Sequence, residues 1–375
     1  MKELAMVDLK GQYQKIKEKV DASIQEVINN TSFINGPQVA SFKQNLANYL
    51  DVKHVIPCGN GTDALQIALM TLDLQQGDEV ITVDFTFAAT VEVIKLLKLT
   101  PVLIDVEEDT FNLSIEALKK AITPKTKAII PVHLFGQCAN METILAVAKE
   151  YNLYVIEDTA QAIGATYTFS DGSIKKAGTM GTLGTTSFFP SKNLGCYGDG
   201  GAIFTNDDDL AHIIRGMVNH GMYKRYYHDV VGVNSRLDSI QAAVLKAKLP
   251  LLDSYCNSRR EAAKFYSNAF ANNKNIITPV ILKADDSHVF HQYTLQIKNG
   301  KRDALHKHLL DNNIPNAIYY PVPLHKQKAY MDDRYNEEDF TITNRLIDEV
   351  ISLPMHTELD EEQLQFITKT ILDFI

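Results

Sequence analysis

The sequence predicts an α/β protein: a large domain on a mainly parallel, seven-stranded sheet, followed by a smaller α+β domain. Three observations carry this. From residue 54 onward short β-branched runs alternate with helix-like stretches, and after Pro250 that alternation loosens. The chain has 375 residues with 45% hydrophobic content, enough apolar material for a sizeable core.

The elements follow in order. Tyr13, Ile16, Val20, Ile24, Val27 and Ile28 recur at steps of three and four, so an amphipathic helix runs to about Asn29-Asn30. Phe33-Ile34-Asn35-Gly36-Pro37 reads as a turn. Seven strand runs come next: His54 to Pro57, Glu79 to Val83, Val102 to Val106, Lys127 to Val132, Leu153 to Glu157, Thr185 to Phe188 and Gly201 to Thr205. Helical stretches such as Thr62 to Leu72 and Met141 to Tyr151 separate most of them. Strands alternating with helices imply a parallel sheet covered on both faces. Beyond Pro250 come a long polar helix (Ser254 to Ala271), a strand (Val289 to Ile297), a helix (Arg302 to Asp311), a strand (Ala317 to Tyr320) and two closing helices. The expected division is an N-terminal helical segment (1–30), a large domain (31–249) and a small one (250–375).

Charge and cysteine content narrow the function classes. With 37 Lys+Arg against 46 Asp+Glu the net charge is −9, which disfavours sequence-independent nucleic-acid binding. Four cysteines, Cys58, Cys138, Cys196 and Cys256, form no CxxC pair and fit a reduced, cytoplasmic protein. The first residues lack the apolar core of a signal peptide, and no stretch has the uncharged apolar length of a membrane span.

In parallel sheets ligands bind beyond the carboxyl ends of the strands, so the residues there carry the argument. After the first run stands Gly59-Asn60-Gly61-Thr62-Asp63-Ala64, two glycines opening a helix, which suits either a plain capped turn or a phosphate cradle. The same glycines satisfy a relaxed dinucleotide fingerprint with Asp84 as its ribose acid, so an NAD-dependent oxidoreductase is a second reading. Phe87, after the second run, sits where an aromatic stacks on a flat ring or simply fills core. Asp158 ends the fifth run, as a helix cap, a Mg²⁺ ligand or the partner of a cationic ring nitrogen. Lys192 lies between aromatic residues and a glycine cluster, where exclusion of water lowers an amine's pKa toward the neutral form that Schiff-base chemistry requires.

Together these segments resemble the DegT/DnrJ/EryC1/StrS family of sugar aminotransferases, pyridoxal-phosphate (PLP) enzymes of the aspartate aminotransferase fold, PLP fold type I. The resemblance covers nearly the whole chain. It rests on Phe33 to Pro37, Gly59 to Leu65, Pro131 to Gln137, Glu157-Asp158-Thr159-Ala160-Gln161, Ser187 to Lys192, Gly232 to Asp238 and Tyr320-Pro321-Val322-Pro323-Leu324-His325. It implies that Lys192 holds pyridoxal 5′-phosphate covalently and Asp158 pairs with its ring nitrogen. Phe87 would stack on the ring and Gln161 would bond its phenolic oxygen. Gly61, Thr62 and Ser187 would bind the phosphate, with Asn234 added from the second subunit of a homodimer. His133 would stand near the site or serve the core, and His325 would face the sugar. Lys224, Arg225 and His228, in the basic, aromatic stretch Tyr223 to His228, would grip a nucleotide-linked sugar, unless the stretch is an ordinary solvated loop.

The implied activity is transfer of an amino group from L-glutamate to a keto group, at C3, of a nucleotide-linked ketosugar in polysaccharide biosynthesis, with no metal. A non-catalytic PLP-binding regulator is the other alternative. Two departures from the family pattern stand out: Asp84 replaces a common proline or serine, and Phe42-Lys43-Gln44 lacks the usual glutamate. Retention of Lys192 favours transamination over the dehydration of a subgroup that carries histidine there.

Overall fold

The structure is a computed structural model that describes residues 2–284 and 287–375. Helix α1 (Leu9–Asn29) is capped by Asp8, whose Oδ1 accepts from the Gly11 N–H at 2.7 Å, and α2 (Pro37–Leu50) begins at a proline. The strands of the large sheet are β1 (His54–Cys58), β2 (Glu79–Val83), β3 (Thr100–Ile104), β4 (Thr126–Ile130) and β5 (Tyr154–Asp158), then, after a short hairpin β6–β7 (Thr166–Thr168, Ile174–Lys176), β8 (Leu183–Ser187) and β9 (Gly201–Thr205). Their spatial order is β1-β9-β8-β5-β4-β2-β3, and only β9 runs against the rest. This is the expected seven-stranded sheet.

Alternation along the strands sorts side chains onto two faces. Val55, Ile81, Ile129 and Val155 join one apolar cluster with Phe42 and Leu46 of α2 and Ile144 and Val147 of α6 (Met141–Tyr151). Their neighbours Ile56, Val80, Ile130 and Ile156 join the other with Leu65 and Ala68 of α3 (Gly61–Thr71) and Val93 and Ile94 of α4 (Ala89–Leu96). Helices α5 (Ile115–Ala121), α7 (Asp208–Met217) and α8 (Ser239–Lys248) complete the two layers, and α1 packs Ile16 and Val20 against Val244 of α8. The fourth strand stops at Ile130, short of the expected Val132, because Pro131 has no N–H for the ladder; Val132 bridges Asp158 beyond it.

Between α7 and α8 an exposed hairpin, β10–β11 (Met222–Lys224, Tyr227–His228), projects from the body. The C-terminal part starts with α9 (Leu252–Phe270) and builds an antiparallel sheet β12-β13-β14 (Ile276–Ile277, Tyr293–Ile297, Val350–Leu353) covered by α10 (Arg302–Asp311) and α12 (Glu361–Phe374), with α11 (Thr341–Glu349) leading into β14. Two expectations change here. The strand expected over Val289 to Ile297 covers only Tyr293–Ile297, because Phe290 turns to φ 43° and the preceding backbone bonds outward: Val289 N–H to Gly136 O at 2.9 Å and Gln292 N–H to Phe135 O at 3.4 Å. The strand expected over Ala317 to Tyr320 shrinks to an Ala317–Ser352 bridge, after which the chain leaves the sheet. Residues 3–8 are tied to the same C-terminal part, with Met6 O accepting from the Met355 N–H at 3.2 Å and Leu4 in its apolar cluster.

Among the described residues no helix is long and apolar enough to cross a membrane, and no group of three or more His, Cys, Asp or Glu is arranged to hold a metal ion. All four cysteines are free and buried.

One close backbone approach is testable. A Cβ added to Gly184 of β8 would stand 2.0 Å from the Gly178 carbonyl oxygen, so Gly184→Ala must push the strand off the segment that follows β7. Urea unfolding should show a loss of about 3 kcal/mol through the midpoint, with an unchanged slope.

Candidate active site

A cavity of about 460 Å³ opens at the carboxyl ends of β2, β5 and β8. It is lined by Gly61 and Thr62 from the start of α3, Thr86 and Phe87 after β2, Asp158, Ala160 and Gln161 after β5, and Ser187 and Lys192 after β8. Seven residues singled out from sequence, Gly61, Thr62, Phe87, Asp158, Gln161, Ser187 and Lys192, therefore meet in one place.

Lys192 lies on the loop between antiparallel β8 and β9. Burial holds its amine at about 8, below the ordinary 10.5, while the charge of Asp158 opposes the shift. Asp158 is buried, and each carboxylate oxygen has one donor: Thr90 Oγ1 to Oδ2 at 2.9 Å and the Ala160 N–H to Oδ1 at 3.1 Å. Its remaining lone pairs are available to the cavity.

The opposite corner is an anion cradle. Asn60 caps α3 by accepting from the Asp63 N–H at 2.8 Å, while the N–H groups of Gly61 and Thr62 have no partner among the described residues. Only glycine fits at 61, since a Cβ there would stand 2.6 Å from Ser187 Cβ; the absence of a side chain lets the helix end and the Ser187 hydroxyl share one corner. Ser235 steadies the turn, accepting from the Gly59 N–H at 2.9 Å and donating to Asp63 at 2.6 Å. A buried carboxylate, an amine biased toward neutrality, an exposed aromatic face at Phe87 and a helix terminus free to bind phosphate form a donor set that fits PLP.

Gln161 is held on both sides: its Oε1 accepts from the Phe135 N–H at 2.7 Å and its Nε2 donates to Tyr320 Oη at 3.1 Å. Tyr320, quoted in the sequence motif without a role, and Thr90, which carried no sequence signal, are thus parts of the site. Tyr319, His291 and Gln292 line it as well.

Other expected residues lie elsewhere. His133 is a core residue: Nδ1 accepts from the Ala139 N–H at 3.2 Å, which leaves Nε2 to donate to Glu157 at 2.9 Å. His325 does not line the cavity. It is buried against Phe340, at 4.3 Å between ring centroids, and both its N–H and its Nδ1 meet the Asp84 carboxylate at 2.7 Å. Burial pushes the Asp84 carboxyl up and the His325 contacts oppose the shift. Asp84 is therefore closed off from any ribose, and β1 stands at the sheet edge beside antiparallel β9, so the dinucleotide reading is corrected. Lys224, Arg225 and His228 sit on the exposed hairpin, where Lys224 lies over Tyr227 and Arg225 over Tyr226, and they do not line this chain's own cavity. Asn234 is likewise outside it, bridged to Asn219.

Comparison with known proteins agrees with this geometry. The family model described as the DegT/DnrJ/EryC1/StrS aminotransferase family matches residues 14–372. The chain is 44% identical over 364 residues to the UDP-2-acetamido-2-deoxy-3-oxo-D-glucuronate aminotransferase of Pseudomonas aeruginosa, covering 97% of this chain and 98% of that one. It is 45% identical over 373 residues to a pleiotropic regulatory protein of Geobacillus stearothermophilus, covering 98% of each. Among solved structures, a DegT DnrJ EryC1 StrS aminotransferase from Brucella abortus superposes with a TM-score of 0.94 at 40% identity, covering 99% of both chains.

The Lys192 environment makes a signed prediction. Competitive acylation of the cofactor-free protein should titrate Lys192 near pH 8, well below exposed lysines, and Asp158→Asn should move it lower still by removing the charge that favours the ammonium form. A Lys192 that labels like a surface lysine would contradict the geometry.

Proposed function

The chain belongs to the DegT/DnrJ/EryC1/StrS aminotransferase family, whose members depend on PLP, and from that premise we propose that it transfers an amino group from L-glutamate to the C3 keto group of a nucleotide-linked sugar. The observation that carries the aminotransferase reading is the meeting of Lys192, Asp158 and the open first turn of α3 in one cavity. The 3-oxo sugar named for the Pseudomonas relative supports the acceptor and its regiochemistry.

When bound, PLP supplies an electron sink for the negative charge that develops at the donor's Cα. Lys192 would hold it through the amine, and once displaced by the donor would take the proton from Cα; an amine with a pKa near 8 reaches a neutral fraction of about one half at mildly alkaline pH, far above that of an exposed lysine. Asp158 would hold a proton on the ring nitrogen, steadied by Thr90 and Ala160. Gly61, Thr62 and Ser187 would bind the phosphate, and Phe87 would cover the ring. Gln161, held by Phe135 and Tyr320, would present its remaining amide hydrogen to the phenolic oxygen.

A homodimer completes the proposal. The hairpin leaves Tyr226 76% exposed and Val231, just beyond it, is 86% exposed, the kind of apolar surface that a second copy covers. Asn234 and the Lys224, Arg225 and His228 cluster would then serve the neighbouring cavity, the last three meeting the sugar's diphosphate. A domain division at the turn before α9 and a cytoplasmic setting, in keeping with four unpaired cysteines, belong to the same reading.

Three outcomes are expected. Borohydride reduction and mass spectrometry place the pyridoxyl group on Lys192, and Lys192→Ala abolishes both the adduct and amino transfer. Asp158→Asn lowers kcat by roughly 10²-fold or more while PLP binding weakens far less. Arg225→Ala raises KM for the nucleotide sugar about tenfold and leaves the glutamate half-reaction nearly unchanged; equal damage to both halves would assign the hairpin to folding or assembly. The regulatory name of the Geobacillus relative sets the rival reading of a non-catalytic PLP binder. Glutamate-driven bleaching of the visible band of the holoprotein decides between the two.

A further inference from the structure

A second lysine is buried close to the first in the fold, with no part in the chemistry above. Lys248, the last residue of α8, is 1% exposed, and burial pushes its amine down to about 8. Enclosing an amine is costly unless its protons find partners. Nζ donates to the Gly195 carbonyl at 2.8 Å and lies 4.6 Å from the centre of the Tyr197 ring. Gly195 and Tyr197 both belong to the β8–β9 loop, residues 188–200, that carries Lys192.

That loop folds back on itself. The Phe188 N–H bonds Gly200 O at 2.7 Å, the Cys196 N–H bonds Phe188 O at 2.8 Å and the Lys192 N–H bonds Phe189 O at 2.9 Å. Gly195 lies so near the outgoing limb that a Cβ there would stand 2.3 Å from the Pro190 carbonyl oxygen. The returning limb therefore sets the position of the outgoing one, and Lys192 sits between them. Helix α8 holds the returning limb at two points. Gln241 accepts from the Tyr197 N–H at 2.8 Å, and two turns later Lys248 supplies the donor for the carbonyl of buried Gly195. Tyr13 of α1 packs edge-on against Tyr197, at 5.9 Å between ring centroids, so the ring beside the amine is itself fixed.

We propose that Lys248 is a positioning residue for amino transfer: by tying the returning limb of the loop to α8 it keeps Lys192 enclosed beside Asp158. Its consequence for turnover rests on the aminotransferase reading; its consequence for the Lys192 amine rests on geometry alone. Lys248 does not line the cavity, so its effect passes through the loop. Burial is the largest cause of the low Lys192 pKa. A loop released from α8 admits water to that amine, and hydration returns it toward 10.5. Asp158 and His291 are the titratable groups that face Lys192, and they stay in place whether or not the tie is made. Each unit of upward shift lowers the neutral fraction about tenfold at a pH below both values. Methionine at 248 has a similar length and no donor, so it leaves the Gly195 carbonyl enclosed and unpaired.

Competitive acylation of the cofactor-free protein reads the amine without turnover. Lys248→Met should raise the Lys192 midpoint by about one pH unit. Ile367→Ala, a core truncation in α12, should lose stability and leave that midpoint where it is in the wild type. An unchanged midpoint in Lys248→Met, or an equal shift in Ile367→Ala, overturns the proposal. In the holoenzyme the acid limb of the kcat profile with glutamate should move up by the same unit in Lys248→Met, with KM little changed. Should that variant fail to fold, hydrogen exchange of the wild-type, cofactor-free protein decides. The Phe188 and Cys196 amides, which close the loop, should be as protected as those of β9, and fast exchange there overturns the clamp. A protein that ignores glutamate would refute the donor assignment of the previous subsection, and acylation and exchange would still decide this one.

Discussion

The site depends on how one buried carboxylate is satisfied. Glu157 has no exposed surface, and it collects four donors: Gly178 N–H at 2.8 Å, Met180 and Gly181 N–H at 2.6 Å each, and His133 Nε2 at 2.9 Å. Such a charge is tolerable inside a protein only when its lone pairs are filled this way. Glu157 and Asp158 are consecutive on β5, so anchoring one to the turn before β8 sends the other to the opposite face, where the cavity lies. Of the two places open to His133, near the site or in the core, it takes the second, as a donor to this carboxylate.

Legibility in the sequence followed how local the cause was. The runs Glu79–Val83 and Gly201–Thr205 match β2 and β9 residue for residue, and Met141–Tyr151 matches α6, since buried strands and an amphipathic helix write their periods into short stretches. Residues 38–50 carry no comparable signal, since α2 there follows the turn and proline too closely for its start to stand out. The C-terminal strands depart from their local pattern because Phe290 and the Ala317–Tyr320 stretch obey contacts with Phe135, Gly136 and the cavity, which no local pattern encodes. Within the site, Lys192 and Asp158 were legible from their flanking residues. Thr90 was not, as a buried threonine in a helix reads the same whether or not a carboxylate faces it.

Asp84 shows how a departure from a family pattern acquires meaning only with its partner in view. Both of its carboxylate oxygens are taken by His325, and its carbonyl accepts from the Leu324 N–H at 3.3 Å, so β2 and the Pro-Leu-His segment are joined by three hydrogen bonds across 241 residues of chain. Thr86 and Phe87 follow Asp84, while Tyr319 and Tyr320 precede His325, so the tie brings two walls of the cavity together from distant parts of the sequence. From sequence, the acid suggested a ribose and the histidine a sugar; in the fold each is the other's partner.

Helix α9 serves two cores. Its first turns place Leu252 and Cys256 in the cluster under the large sheet, and its last turns place Ala262, Ala263, Tyr266 and Phe270 in the cluster of the small one. A continuous helix shared in this way leaves no slack joint at which the two halves could be separated cleanly. Cutting the chain there would strip apolar surface from both, so neither half is expected to survive as an independently expressed fragment.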